Sequence, residues 1–253
     1  MSAGSVRLTI DGPVATVVFD RPGMRNALSL AMYDELSAAC ARIASTRGLR
    51  AAVFRGLNGA FVAGTDIAEF RGFETGEDGV RYEARLERGV AEIEALPVPT
   101  LAVIDGPATG GGLMIATACD LRVASSRSRF GAPIARTLGN CLSRANLMRL
   151  ERAFGQGRTN RMLLLADLLD ASEALAGGFL VALTEPDSLE TRVGEILGKL
   201  LANAPLTLAA TRALMRPASE PEEKLIARVY GSRDFKEGVN AFLAKQPPVW
   251  VGE

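Results

Sequence analysis

Residues 108–125 read ATGGGLMIATACDLRVAS, so three consecutive glycines, Gly110, Gly111 and Gly112, open a short apolar segment directly behind the apolar run TLAVIDG. A strand, a glycine turn and a helix start can together cradle a phosphate, bind a dinucleotide, or aim backbone N–H groups at an oxygen. No Gly-Lys-Ser/Thr follows the glycines, which argues against the first use. The run is GGG rather than GxGxxG, and Asp120 stands too early, ahead of the next strand, to be a ribose-binding acid, which weakens the second. Oxyanion binding remains, because the first N–H groups of a helix have no internal partner and lie at the positive end of its dipole. Close helix–strand packing is the other use of the same glycines. A second small-residue loop, GAFVAGTDIAEF at 59–70, also runs into a helix, with Asp66 placed as its cap. Two such loops can bring two N–H donors to one point.

The side chains available around such a point are restricted. The chain has 253 residues and no histidine, which removes Ser-His and Cys-His nucleophiles, imidazole bases and histidine metal sites. Cys40, Cys119 and Cys141 are far apart with no CxxC spacing, so neither a disulfide framework nor a zinc site is expected, and no metal is. Cys40 and Cys119 read as core thiols. Lys+Arg and Asp+Glu both number 29, so no global field draws in nucleic acid or an anionic membrane. The opening MSAGSVRLTI has no signal-peptide character, and no stretch reaches the roughly 18 apolar residues of a membrane span, so a cytoplasmic protein is expected.

The elements that would position these loops alternate. VRLTIDGPVATVVFD reads as a hairpin turning at Gly12-Pro13. Ser29 N-caps a helix that carries Met32, Leu36, Ala39 and Ile43 at helical spacing. RAAVFRG is a strand, DIAEFRGF a short helix, and 80–96 a longer helix with Leu86, Val90 and Ile93 as its buried stripe. TLAVIDG is the strand that feeds the glycines. From Ser143 onward the chain reads as helices over 143–154, 157–165, 172–179, 188–202, 206–215, 221–230 and 235–244, with Pro205 and Pro217 as punctuation. Repeated strand–helix alternation predicts an α/β class.

Taken in order, RPGMRNAL (21–28), FVAGTDI (61–67), IDGPATGGG (104–112), CDLRVAS (119–125), RFGAP (129–133) and SRDFKEGVNAFLAK (232–245) resemble the crotonase family, the enoyl-CoA hydratase/isomerase superfamily, over essentially the whole chain. The resemblance implies a spiral of ββα units over 1–203, carrying an acyl-CoA site, and a C-terminal helical subdomain over 204–253 used for trimerisation. The expected assembly is a homotrimer or a dimer of trimers. The implied ligand is an acyl-CoA thioester, with coenzyme A present only as part of the substrate and no other cofactor. Its enolate or a related oxyanion would be held by the backbone N–H groups of Thr65 and Gly111. Met24 and Arg25 match the segment at the CoA phosphates and pantetheine, and Ala63, Asp66 and Ile67 match the region around the adenine. Phe242 and Lys245 match a Phe and a Lys that reach CoA, often across a subunit boundary.

The resemblance breaks at the acids. Hydratases of the family carry one glutamate just after the glycines and another after FG-x-P; here these places hold Met114 and Ile134, and a one-residue shift from Ile134 finds only Ala135. Neither Met114 nor Ile134 moves a proton, so weak or non-hydratase chemistry is expected of an enzyme of this kind, and both side chains read as acyl-pocket lining. A catalytically silent acyl-CoA-binding or assembly protein is the alternative. A replacement acid would come from elsewhere: the helix bearing Glu83, Glu87 and Glu94, where Glu87 lies near the place that serves relatives, or the segment with Arg136, Asn140, Cys141 and Ser143. A solvated helix face is the competing role for those three glutamates.

Overall fold

The computed structural model describes residues 4–216 and 220–253; Pro217, one of the two prolines read as helix punctuation, lies outside them. In chain order the elements are β1 (Ser5–Asp11), β2 (Val14–Asp20), α1 (Leu30–Ser45), β3 (Ala51–Gly56), a 3-10 turn at Ile67–Gly72, α2 (Gly76–Glu94), β4 (Thr100–Ile104), β5 (Pro107–Thr109) and α3 (Gly111–Ala118). They continue as β6 (Leu121–Ser125), β7 (Arg129–Gly131), α4 (Ile134–Thr137), α5 (Arg144–Leu164), β8 (Leu169–Asp170), α6 (Ala171–Ala176), β9 (Ala182–Thr184), α7 (Leu189–Ala202), α8 (Pro205–Leu214), α9 (Glu222–Tyr230) and α10 (Arg233–Ala244).

The hairpin forms as read, with Asp11 paired to Val14 and Gly12 at φ 52 in the turn between them. Ser29 accepts from the Met32 N–H at the start of α1. The two helices expected over 143–154 and 157–165 form within α5, parted by a kink at Gly155, whose φ of 74 interrupts the helical backbone.

The large sheet runs β1-β2-β3-β4-β6-β9, parallel from β2 onward, and a small sheet runs β5-β7-β8. Successive side chains of a strand face opposite sides, so parallel strands buried on both faces read as continuous apolar runs. Ala52, Phe54, Ala102, Ile104 and Ala124 point into the main core, which also holds residues of α1, α2, α3 and α5. Val53, Leu101, Val103 and Val123 point the other way, onto Leu189, Val193, Ile196 and Leu200 of α7.

Asp120, at the corner between α3 and β6, joins the C-terminal helices to this frame. Its Oδ2 accepts from the Thr100 N–H at 2.7 Å, the Thr100 hydroxyl at 2.8 Å and Arg212 Nε at 2.6 Å, while Oδ1 accepts from Arg216 Nη2 at 2.7 Å. The acid of CDLRVAS thus fastens α8 to β4.

Candidate active site

Four short main-chain ties assemble the two glycine loops side by side. The Val62 N–H donates to Pro107 O and Val62 O accepts from the Thr109 N–H, in a parallel bridge to Ala108. The Leu28 N–H donates to Gly64 O and the Asp66 N–H to Leu28 O, in a second bridge that brackets Thr65. Segment 62–66 is thereby held between the 25–28 segment and β5, whose next residues are the glycines.

Each glycine of the triplet has its own reason. Gly110 sits at φ 52 as the residue before α3, a backbone region that side chains disfavour. A Cβ on Gly112 would lie 2.1 Å from Val62 O, inside the loop bridge. A Cβ on Gly111 would lie 2.4 Å from the Tyr33 hydroxyl and 3.3 Å from Thr65 Oγ1. Of the two uses weighed for the triplet, close packing is seen at Gly112, while Gly111 places its N–H at the first position of α3. Among the described residues neither the Thr65 N–H nor the Gly111 N–H donates to an acceptor.

Behind these donors lies a hydroxyl network. Thr65 Oγ1 is 2.7 Å from the Tyr33 hydroxyl and 2.7 Å from the Tyr82 hydroxyl. Burial, above all, raises the pKa of both phenols, so both remain neutral at ordinary pH. Tyr33 is 2% exposed and belongs to the core stripe of α1. Its distance from Thr65 in sequence hides the pairing.

The motif RPGMRNAL is organised by a residue given no role above. Asn26 is buried at φ 58; its Nδ2 donates to the carbonyls of Leu57, Ala60 and Phe61, and its Oδ1 accepts from the Arg21 N–H. Arg21 Nη2 pairs with Asp66 at 2.7 Å, with both side chains little exposed. Asp66 also accepts from the Ala68 N–H, and that bond followed by Arg21 lowers its carboxyl pKa. Asp66 is therefore a loop anchor. Met24 is half-buried, Arg25 is exposed at φ 47, and the Arg25 carbonyl accepts from the Ala63 N–H, so the structure brings Arg25 and Ala63 together; Ile67, 57% exposed, faces solvent.

The family model for enoyl-CoA hydratase/isomerase matches residues 9–253. The chain belongs to the enoyl-CoA hydratase/isomerase family. It is 32% identical to a probable enoyl-CoA hydratase of Bacillus subtilis over 98% of the chain and 99% of that protein. It is 29% identical to the short-chain-enoyl-CoA hydratase of Clostridium acetobutylicum over 97% of each. An enoyl-CoA hydratase/carnithine racemase from Magnetospirillum magneticum superposes with a TM-score of 0.91 at 31% identity, covering 100% of this chain and 97% of that one. The fold is the mixed α/β architecture of these crotonases, with C-terminal helices present.

Within that family frame, Met114 is fully buried on the first turn of α3, and Ile134 is half-buried at the start of α4. Asn140 is exposed with no described hydrogen bond. Phe242, 83% exposed, and Lys245 lie at the end of α10, which packs on α9, so the chain by itself does not bring them to Thr65 and Gly111.

Glu87 is the one acid–base candidate that the structure moves. Arg149 on α5 donates to both of its oxygens, at 2.6 and 2.7 Å, and to both oxygens of Glu94. Glu87 is thus occupied as an ion-pair partner joining α2 to α5. One turn earlier, Glu83 is different: Oε2 accepts from the Ser143 N–H at 2.8 Å, while Oε1 is shielded from water with no partner among the described residues. Burial is the first cause of its raised pKa, partly opposed by the Ser143 bond and reinforced by the Glu87 charge. The solvated-face reading therefore fails for Glu83. Cys40 and Cys119 are buried free thiols, and burial pushes Cys40 up to about 12. Among the described residues no helix is long and apolar enough to cross a membrane, and no group of three His, Cys, Asp or Glu could hold a metal ion.

Proposed function

We propose that the protein binds acyl-CoA thioesters and stabilises an enolate or related oxyanion between the N–H groups of Thr65 and Gly111, with weak or no enoyl-CoA hydratase activity. The observation that carries this reading is the pair of uncommitted N–H donors held side by side by main-chain bridges. Such donors act on charge that develops in the transition state, and being part of the main chain they need no reorganisation. Arg25 from the 21–28 loop is the nearer cation for CoA phosphate; Phe242 and Lys245 would join from a neighbouring subunit of a homotrimer or dimer of trimers. The exposed apolar residues Leu164, Leu165, Met215, Phe242 and Leu243 support such an assembly. The reading includes a cytoplasmic location and no cofactor beyond the coenzyme A of the substrate.

Met114 and Ile134 offer no proton where hydratases of the family carry acids, and this favours weak hydration; it is also what supports the second reading, a silent acyl-CoA binder. Calorimetric titration with a non-hydrolysable acetyl-CoA thioether is expected to give binding that weakens with salt and with Arg25→Ala. Crotonyl-CoA hydration is expected to fall well below about 10 per second, the middle of the range for ordinary enzymes. No heat at millimolar ligand would overturn the acyl-CoA assignment, and efficient hydration would overturn the low-hydratase part.

A further inference from the structure

Glu83 lies between the hydroxyl network of Tyr33 and Tyr82 and the start of α5. Tyr82, its neighbour on α2, bonds Thr65 Oγ1. Leu86, one turn further along α2, would lie 3.7 Å from a Cβ on Gly111. The Ser143 N–H clamps one carboxyl oxygen from the opposite side of the gap between α2 and the start of α5. The other oxygen faces no donor and no bulk water. A carboxyl with one oxygen clamped and the other unpartnered is oriented, desolvated and open to one more proton.

We propose that Glu83 is the proton-transferring carboxylate of this site, in place of the two acids that the chain lacks at Met114 and Ile134. The proposal rests on the acyl-CoA reading above. Glu83 takes the α-proton of the bound thioester on Oε1. The C–H electron pair becomes the Cα–C1 π bond, and the thioester carbonyl pair moves onto the oxygen held by Thr65 and Gly111. The proton then returns from Glu83 to the α-carbon, or to the γ-carbon of a conjugated dienolate, as the carbonyl re-forms. One carboxyl suffices because it takes one proton and gives one back per cycle; no co-reactant is consumed, and the proton held on Glu83 trades with solvent whenever the site opens before return. The substrates that fit are acyl-CoA thioesters with an acidic α-hydrogen, including those with a β,γ double bond.

The groups acting on Glu83 are Tyr82 and Glu87 on its own helix, Tyr33 on α1 and the Ser143 N–H at the start of α5. Arg149 is already neutralised by Glu87 and Glu94. Burial therefore sets the direction for Glu83, and the base becomes competent as pH rises through a value above the ordinary carboxylate range.

Exchange of the α-protons of butyryl-CoA in deuterated water, followed by mass spectrometry, tests this on the full chain. Glu83→Gln keeps an oxygen for the Ser143 N–H but cannot take a proton, so exchange is expected to fall by ~10²-fold or more while calorimetric binding of the thioether analogue is unchanged. Glu83→Ala is expected to lose exchange and to regain part of it with added formate, which a purely structural role would not produce. Should the variants fail to fold, the wild-type exchange rate still decides: it must rise with pH along one ionisation above the ordinary carboxylate range. A folded Gln variant that exchanges at the wild-type rate, or a flat wild-type profile, overturns the role of Glu83 and leaves thioester binding standing. A wild type that binds no thioester overturns both.

Discussion

A side chain at Gly111 and the hydroxyl of Tyr33 compete for one space, and the competition can be measured. In Gly111→Ala the new Cβ would meet the Tyr33 hydroxyl at 2.4 Å, with Tyr33 only 2% exposed and unable to swing into solvent. Overpacking of this kind costs about 1–3 kcal/mol, offset by the roughly 0.5–1 kcal/mol gained when alanine replaces glycine in a helix. Tyr33→Phe removes the offending oxygen and one bond to Thr65, which keeps its bond to Tyr82; this costs about 0.5–1.5 kcal/mol. In the double variant the next contact of the Cβ is Thr65 Oγ1 at 3.3 Å, within reach of a small adjustment. The double variant is therefore expected to be more stable than the sum of the single changes by about 1 kcal/mol or more, within the usual range for directly touching residues. Urea denaturation of the wild type and the three variants, at constant slope, gives the coupling. Additive effects would refute the close packing of Tyr33 against the oxyanion corner. Gly112→Ala is the contrasting case: its clash is with the carbonyl of Val62 at 2.1 Å, so no side-chain change relieves it.

Asp120→Ala strands Arg212, which is 9% exposed, and is expected to cost about 3 kcal/mol, the low end for leaving a buried charge unpaired, with limited proteolysis cutting first in the C-terminal helices. Asp66→Asn is expected to flatten the acid limb of the stability–pH curve. The pKa of Asp66 is lowered in the folded chain, so its contribution is present above the ordinary aspartate value of about 3.9 and is lost as pH falls through the lowered value. Urea midpoints measured at pH 3 to 6 check this, and an unchanged acid limb would remove Asp66 from the loop anchor.

What could be read from the sequence was whatever repeats with a period or breaks the chain locally. The alternating strands, the Ser29 cap and the break at Gly155 belong to this class, and so does the glycine triplet as a strand-to-helix junction. The partners of Thr65 do not. Tyr33 and Tyr82 lie 32 and 17 residues away, and each carries a ring that apolar burial on its helix already explains. Glu83 and Glu87 are a single helical turn apart, and only Arg149, brought in by α5 from 62 residues beyond Glu87, decides which of them is neutralised. Asn26 sat within a recognised motif, yet its role depends on three carbonyls more than 30 residues on, which no local spacing encodes.

This division has a consequence for chemistry. The two donors are main-chain groups, and their places are set by the Leu28–Thr65 and Val62–Ala108 bridges and by glycines at which a side chain would clash. Substituting the surrounding side chains leaves those N–H groups where they are. Acids and bases are side chains, so in the proposed site they can be absent at 114 and 134 and supplied from another element without disturbing those N–H groups. In the proposed reaction the scaffold presents one electrostatic demand, a negative oxygen between Thr65 and Gly111, to whichever proton carrier the neighbouring helices provide. On the proposal made above, that carrier is Glu83 of α2, next in sequence to the Tyr82 that bonds Thr65 and carrying an unpartnered carboxyl oxygen. Reaction type in such a site would follow from the number and placement of proton carriers around fixed donors, and the mechanism proposed for Glu83 needs one.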